Sequence, residues 1–141
     1  MRAAAVVAAL LCLAVIVAAG CGGSKKAASS ESEGMKKTIA GLSANDHGTK
    51  QASGTTEVEL DDYYFEPTII KGKAGQKVTL ELKNEGKTEH NFSIDAQHID
   101  KDLEPGKSAM VTVTIPQSDE ISFYCKYHKS RGMAGALQAS G

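Results

Sequence analysis

Apolar and polar residues alternate strictly along four short segments in the C-terminal part of the chain. These are residues 57–61, 77–83, 110–115 and 120–124. Alternation places every second side chain on one face of an extended segment, which is typical of a half-buried β-strand. Turn-forming residues separate the segments, and no helical period follows Gly54. The pattern predicts an all-β fold, a Greek-key β-sandwich of about seven to eight strands.

The aromatic residues mark the folded part of the chain. All 4 Tyr and 3 Phe lie between Tyr63 and Tyr127, and the chain has no Trp. Residues 22–54 are rich in Gly, Ser, Ala, Lys and Glu, a composition that cannot bury a core. We therefore predict a disordered, flexible linker at residues 21–54 and one folded domain at residues 55–141.

The N-terminal residues have the features of an export signal. Met1-Arg2 gives a positive start, and the 17 residues Ala3–Ala19 are almost continuously apolar. The end of this segment, Val17-Ala-Ala-Gly-Cys21, resembles the bacterial lipobox, in which small residues precede a lipidated cysteine. We predict a lipoprotein signal peptide at residues 1–20 and lipidation of Cys21. The chain is then exported and anchored to the outer face of the bacterial cytoplasmic membrane.

Two other interpretations of the N-terminal segment stay open. One is an uncleaved transmembrane anchor, although 17 apolar residues are at the short limit for crossing a bilayer. The other is ordinary cleavage after Ala19, which would release a protein without a lipid.

The charge balance bears on the class of partner. The chain has 16 Lys and Arg against 17 Asp and Glu, a formal net charge of -1. A nucleic-acid-binding surface needs a strongly basic face, which this balance does not supply. We therefore predict no nucleic-acid partner. Nothing in the sequence demands an oligomer, so a monomer is expected.

The cysteines point to a metal ligand. Cys12 and Cys21 belong to the N-terminal apolar segment, whereas Cys125 stands alone near the other end of the chain. Exported proteins normally use cysteines in disulfide pairs. The mature chain has no obvious internal pair, and metal ligation is one explanation for a lone thiol.

Cys125 lies in a short run with two further candidate ligands, His128 and Met133. The spacing is C-x2-H-x4-M, and a thiolate, an imidazole and a thioether together suit copper in both oxidation states. Strand parity indicates a fourth ligand, because His90 shares a face with the apolar residues two and four positions after it. Cys125 shares a face with apolar residues in the same way. Unpaired polar groups on such faces are costly, and one metal ion would satisfy both.

This constellation resembles the cupredoxin family of blue copper proteins, and most closely its plastocyanin and pseudoazurin type. The resemblance covers roughly residues 55–141. It implies a cupredoxin-like copper-binding domain with one type 1 copper per chain. It also implies trigonal ligation by His90, Cys125 and His128, with Met133 as a weak axial ligand.

The resemblance implies a supporting role for Asn91, the residue after the first histidine. It would hold neighbouring loops and modulate the thiolate by hydrogen bonding. Two positions depart from the plastocyanin pattern. Lys126-Tyr127 fills the gap between Cys and His where Pro is usual, and Glu89 precedes the first histidine where Pro is frequent. These departures bear on redox partner and potential more than on ligation.

The four-ligand set favours a carrier of single electrons between redox partner proteins. The alternative is a copper-binding module for copper handling or tolerance. Such modules often use clusters of exposed Met or His, and this chain has only 4 of each. A copper oxidase or nitrite reductase needs further copper sites with His-x-His motifs, and a binuclear centre needs a second cysteine near Cys125. The sequence contains neither, so we predict that the protein is not an enzyme.

Three basic residues, Lys126, Lys129 and Arg131, accompany the candidate copper ligands in a domain that is otherwise acidic. One interpretation is a basic rim that docks an acidic redox partner. The other is a solvated loop. His47, in the predicted linker, is expected to be solvated. Neither His47 nor His98, which lies in a polar stretch, is expected to bind metal.

Overall fold

A computed structural model describes residues 34–141, which form twelve β-strands and two short 3-10 helices. The predicted signal peptide at residues 1–20 and Cys21 lie outside the described residues. Among the described residues, no helix has the length and apolar character needed to cross a membrane. The strands are β1 (Met35–Ile39), β2 (Leu42–Asp46), β3 (Thr49–Gln51), β4 (Thr55–Asp61), β5 (Tyr64–Glu66), β6 (Ile69–Lys73), β7 (Lys77–Asn84), β8 (His90–Ile94), β9 (Ile99–Leu103), β10 (Ser108–Thr114), β11 (Glu120–Tyr124) and β12 (Ala134–Ser140). The 3-10 helices are Asp95–Gln97 and Lys129–Arg131.

Two sheets enclose the main core. One has the strand order β10-β7-β4-β5, and the other has the order β3-β6-β12-β11-β8-β9, while β1 and β2 form a two-stranded sheet. The main hydrophobic cluster takes residues from both large sheets. The predicted all-β sandwich is confirmed. The strands outnumber the predicted seven to eight because some are only three residues long and three lie before residue 54.

Alternation in the sequence becomes alternation in burial. Val58 and Leu60 in β4 and Leu80 and Leu82 in β7 are all 0% exposed, whereas the residues between them are partly exposed. The two strands are parallel neighbours with Val58 opposite Leu82, so their buried side chains form one surface. Fully burying such a side chain contributes about 1.5–3 kcal/mol. The period of two therefore decides which face of each strand meets the core.

Three phenylalanines from three strands pack against one another in the core. Phe65, Phe92 and Phe123 are fully buried. Their ring centroids lie 5.9 Å apart for Phe65 and Phe92, 5.1 Å for Phe65 and Phe123, and 5.0 Å for Phe92 and Phe123. Aromatic pairs at such separations add to the stability gained from burial. Phe92 and Phe123 each lie two residues from a predicted ligand, His90 and Cys125, so this cluster fixes both strands at the site.

Residues 34–54 require a correction to the predicted domain boundary. The sequence predicts a disordered linker there, but β1 and β2 form an antiparallel hairpin with Ile39 opposite Leu42. Ala40 and Gly41 make the two-residue turn, with φ angles of 47° and 79°. Positive φ at both central positions matches the right-handed twist of hairpin strands. Asn-Gly is the usual sequence signal for such a turn, and Ala-Gly is not, so the sequence did not predict this hairpin.

The hairpin has a small buried face of its own. Ile39 and Ala44 are 2% and 0% exposed and cluster with Ile69, Ala134 and Ala136. A surface built largely from alanines can be covered by small side chains. The prediction from composition was wrong because it considered only the number of large apolar residues in the segment. It did not consider that the surface under the hairpin consists mainly of alanines, which small side chains can cover.

The prediction that His47 is solvated is wrong. Its side chain is 6% exposed and its ring stacks on Tyr64 with the centroids 3.5 Å apart and the planes at 7°. Nδ1 lies 4.0 Å from a carboxylate oxygen of Glu66, and Nε2 has no hydrogen-bond partner among the described residues. His98 is exposed.

Candidate metal centre

Sheet register brings the candidate ligands to one edge of the six-stranded sheet. β8 begins at His90, and the connection between β11 and β12 carries the other three residues. Because β11 and β12 pair antiparallel, that connection starts and ends at the same edge. Tyr124, at the end of β11, lies opposite Ser93 of β8. Strand pairing therefore places His90 beside the loop.

The predicted ligands His90, Cys125 and His128 meet. Their potential ligand atoms all lie within 4.8 Å of one another. Nδ1 of His128 lies 3.2 Å from Nδ1 of His90 and 3.5 Å from Sγ of Cys125. His90, Cys125 and Met133 are 0% exposed, whereas His128 is partly exposed. Three of the four predicted ligands are thus fully buried, and His128 alone among them reaches solvent.

Backbone hydrogen bonds within the loop hold its shape. The His128 N–H donates to the Cys125 carbonyl at 3.1 Å, and the His128 carbonyl accepts from the N–H groups of Arg131 and Met133 at 2.9 and 3.3 Å. The Cys125 N–H donates to the Met133 carbonyl at 3.0 Å, which closes the loop. Gly132 has a φ of 92°, a conformation that costs glycine little. The loop therefore presents Cys125, His128 and Met133 as one unit.

Asp62, which the sequence did not reveal, orients His90. Its Oδ1 lies 3.3 Å from Nε2 of His90 and accepts the Lys87 N–H at 3.0 Å. A carboxylate only accepts, so Nε2 of His90 carries the proton and Nδ1 keeps its lone pair. Gly86 permits this contact, because a Cβ there would lie 2.6 Å from His90 Nε2 and 2.7 Å from Asp62 Oδ1. An aspartate in a turn is ordinary, and nothing in the sequence ties it to a histidine 28 positions later.

The surroundings favour the neutral form of both imidazoles. Burial lowers the pKa of His90 from 6.5, and the nearby His128 lowers it further, against the opposing effect of Asp62. Burial also lowers the pKa of His128, and the charge of Arg131 adds to this. Burial acts to raise the pKa of Asp62, but hydrogen bonds from Lys87 and His90 outweigh it and hold that pKa below 3.8. Neutral imidazoles have the lone pairs that a metal needs.

The donors fit copper. Cys125 is a free, buried cysteine, and its thiol shares the site with two imidazole nitrogens. Sulfur together with imidazole nitrogen is a soft-to-borderline set that suits copper in both oxidation states. Oxygen donors, which calcium and magnesium prefer, do not belong to this group.

A family model described as a cupredoxin-like domain matches residues 11–137, a range that includes all four predicted ligands. The chain belongs to the cupredoxin-like family. The resemblance to the cupredoxin family inferred from the sequence is thereby confirmed. Family membership and the His-Cys-His group together establish copper as the cofactor of this cupredoxin.

The cupredoxin is 45% identical over 69 residues to the copper-resistant cuproprotein CopI of Pseudomonas aeruginosa. The match covers 45% of this chain and 38% of that protein, so the chain spans well under half of that relative's length.

Two solved structures share the fold. Auracyanin from Roseiflexus castenholzii superposes with a TM-score of 0.54 at 22% identity, covering 64% of this chain and 99% of that one. The metal-binding domain of the Cu(I)-exporting P-type ATPase CopA of Streptococcus pneumoniae superposes with a TM-score of 0.58 at 10% identity. That match covers 67% of this chain and 98% of that domain.

Asn91 sits at the centre of a hydrogen-bond network in the cupredoxin. Its Oδ1 accepts from the Lys126 N–H at 3.2 Å and from the Ser93 hydroxyl at 2.6 Å. Its Nδ2 donates to Asp100 at 2.7 Å and to Asp102 at 2.8 Å. The amide uses both of its ends and ties the peptide after the cysteine to β8 and β9. Asn91 thus holds neighbouring segments of the site together, and its effect on the thiolate stays a prediction.

The three basic residues of the predicted docking rim lie in different surroundings. Lys126 pairs with Asp100 at 2.8 Å and Asp102 at 2.9 Å, and hydrogen bonds to these carboxylates raise its pKa. Lys129 lies over the Tyr124 ring, 4.4 Å from its centroid. Arg131 stacks on a tyrosine of the β4–β5 turn. Neighbouring carboxylates therefore offset the charge of Lys126, whereas Lys129 and Arg131 have no ion-pair partner among the described residues.

Proposed function

We propose that this cupredoxin carries single electrons through one copper ion held by His90, Cys125 and His128, with Met133 as a weak axial ligand. The observation that carries the proposal is the convergence of three donor atoms within 4.8 Å in a buried site. When bound, copper supplies a one-electron couple tuned by its thiolate and axial ligands.

The residues around the site support electron transfer because they hold each donor in place. Asp62 orients His90, Asn91 fixes the peptide after Cys125, and backbone hydrogen bonds hold His128 in the loop. A donor set that cannot rearrange changes little between oxidation states, which favours transfer of an electron over release of the metal. Partly exposed His128 offers a route for the electron to the surface.

Copper handling is a second candidate function, and one observation favours it. The relative that matches 69 residues of this chain is described as a copper-resistant cuproprotein. The exposed methionines weigh against it. Among the described residues, Met35 and Met110 are 83% and 58% exposed and lie in different sheets, whereas Met133 is buried.

Copper retention separates the two functions. The copper-loaded protein is reduced, challenged with a Cu(I) chelator, and then reoxidised. A carrier keeps its copper, so an intense thiolate-to-copper absorption band returns at full strength over repeated cycles. A handling module loses copper to the chelator in the reduced state, and its band does not return. A faint band at one equivalent of Cu(II) would also contradict the electron carrier.

We further propose that the protein is exported and held at the outer face of the cytoplasmic membrane by a lipid on Cys21. The lipobox-like sequence supports this. Since β1 begins at Met35, the 13 residues 22–34 separate Cys21 from the first strand, and this stretch spans at most about 50 Å. Labelled palmitate should enter the wild-type protein and not Cys21→Ala. Equal labelling of both would contradict the proposal.

Lys129 and Arg131 are proposed to dock an acidic redox partner. The chain as a whole is not basic, with a formal net charge of -1. Two positive charges beside His128 without ion-pair partners among the described residues would therefore steer an acidic partner protein toward this part of the surface. Lys129→Glu should lower the electron-transfer rate with an acidic partner and flatten its salt dependence. Lys73→Glu, an exposed charge near the far end of β6, should not. Equal effects of both would leave no role for the rim.

A further inference from the structure

Asn45, at the fourth position of β2, contacts both the ligand loop and the turn between β4 and β5. Its backbone N–H donates to the Gly132 carbonyl at 2.9 Å. Its Nδ2 donates to the Arg131 carbonyl at 3.0 Å and to the Tyr63 carbonyl at 2.9 Å. One residue of the N-terminal hairpin thus joins two segments that flank the metal centre.

Asn45 also packs closely against the backbone of Gly132. A Cβ at Gly132 would lie 2.8 Å from Oδ1 of Asn45 and 2.9 Å from its Cγ and Nδ2. The Asn45 amide therefore rests directly on the loop backbone, one residue before Met133. A side chain at position 132 would press on the Asn45 amide, so one of the two groups would have to shift.

Both ends of the contact reach the ligands. The loop atoms that accept from Asn45 belong to Arg131 and Gly132, which lie between His128 and Met133. On the other side, the Tyr63 ring lies edge-on to the His128 ring at 5.1 Å, and the Arg131 guanidinium lies 3.6 Å from the Tyr63 ring centroid. Displacing Asn45 would release both Arg131 and Tyr63, the two residues that flank the partly exposed imidazole of His128.

Asn45 is itself held by a buried anchor. The hydroxyl of Thr68, a residue with 0% exposure, lies 3.2 Å from the Asn45 carbonyl and 2.9 Å from the Phe65 carbonyl. The same oxygen accepts the His47 N–H at 2.7 Å. With Ala44 also buried, the strand cannot shift without breaking core contacts. The position of Asn45 is therefore set independently of the loop that it contacts.

We infer that Asn45 is a positioning residue for the copper ligand loop and that the N-terminal hairpin is part of the copper site. The hairpin covers an alanine face, which is a structural role that any apolar hairpin could fill. The hydrogen bonds of Asn45 are not needed for burying the alanine face. Two of the three hydrogen bonds that Asn45 donates go to Arg131 and Gly132, between His128 and Met133, and the third goes to Tyr63. The inference requires the copper site but is independent of whether copper carries electrons or is handed on.

The test compares Asn45→Asp with Ser43→Ala in the full chain. The aspartate keeps the side-chain shape and the backbone hydrogen bond, but it turns a carboxylate oxygen toward the Tyr63 and Arg131 carbonyls. Ser43 is exposed, lies two residues earlier on the same strand, and serves as the control. Hydrogen exchange is measured on the copper-free protein for residues 126–133 and for β7.

We expect the loop amides to exchange on the order of tenfold faster in Asn45→Asp, since two hydrogen bonds are lost, with β7 and Ser43→Ala unchanged. The copper-loaded variant should release copper faster by a similar factor and show a shifted thiolate absorption band. Unchanged loop exchange, or the same acceleration in β7, would overturn the inference.

If Asn45→Asp does not fold, Asn45→Ala is measured in the same way. Because exchange in the copper-free protein does not depend on what copper does, this result is separate from the chelator challenge that tests electron transfer.

Discussion

Oδ1 of Asp62 lies 3.3 Å from Nε2 of His90 and leaves the other ring nitrogen of this buried histidine facing His128. The carboxylate decides which nitrogen carries the proton, and therefore which one is free to bind copper. Such partners of metal-binding histidines typically change affinity 10- to 100-fold when they are removed.

Asp62→Ala should therefore weaken copper binding by about 10- to 100-fold, because His90 loses both its orientation and its proton acceptor. Copper titration in competition with a chelator measures this. Glu85→Gln, which removes an exposed carboxylate from the connection between β7 and β8 without touching His90, is the matched control. Equal affinities of wild type and Asp62→Ala would show that packing alone orients the imidazole.

Cys125→Ser should abolish the intense thiolate-to-copper absorption band while the fold is retained. Serine has nearly the same volume, so the core around this fully buried position should persist at a cost of about 1–3 kcal/mol for the unpaired hydroxyl. The visible spectrum with Cu(II) and the far-UV circular dichroism give the two readouts. A blue Cys125→Ser protein would show that the thiolate is not a ligand.

Met133→Leu should keep copper and change its reduction potential. The substitution conserves volume in a fully buried position and costs less than about 1.5 kcal/mol. The axial ligand tunes the potential of sites of this kind. Protein-film voltammetry measures the change, with Met110→Leu, at an exposed methionine, as the control. An unchanged potential would remove Met133 from the proposed ligand set.

Ile39→Ala should destabilise the copper-free protein by about 2 kcal/mol, because this side chain is 2% exposed and fills the contact between the hairpin and β12. Urea denaturation measures the free energy of unfolding. Met35→Ala changes an 83% exposed residue of the same strand and should shift stability by less than about 0.5 kcal/mol. Equal stabilities for all three proteins would indicate that β1 does not pack.

The copper-free protein should lose stability as the pH falls below 6.5. Burial lowers the pKa of His90 and His128 in the fold, so between that lower value and 6.5 the unfolded chain binds more protons than the folded one. Stability from these groups is present above pH 6.5 and is lost on acidification. Urea midpoints at pH 8, 7, 6 and 5 measure the slope.

His90→Gln should reduce that slope. The lowered pKa values of Asp62 and Asp102 act in the same direction but below about pH 4, outside this window. A midpoint that rises or stays level between pH 7 and 5 would contradict the proposed environment of the histidines.

The sequence alone determined the fold class and the candidate ligands. Alternation is a local property of each strand, so it predicted which side chains of β4 and β7 are buried. The same parity placed His90 and Cys125 on inward faces, and the spacing to His128 and Met133 follows from one short loop. These inferences need only neighbouring residues, whose directions are set by the backbone itself.

The tertiary structure alone decided which distant groups support those ligands. Asp62 reaches His90 across 28 positions, and Asn45 reaches Arg131 across 86. Lys126, predicted as part of a docking rim, is paired with Asp100 and Asp102 on β9. Each contact depends on which backbone segments the sheets bring side by side. Composition and periodicity describe how a segment faces the core, but they do not specify which remote segment lies against it.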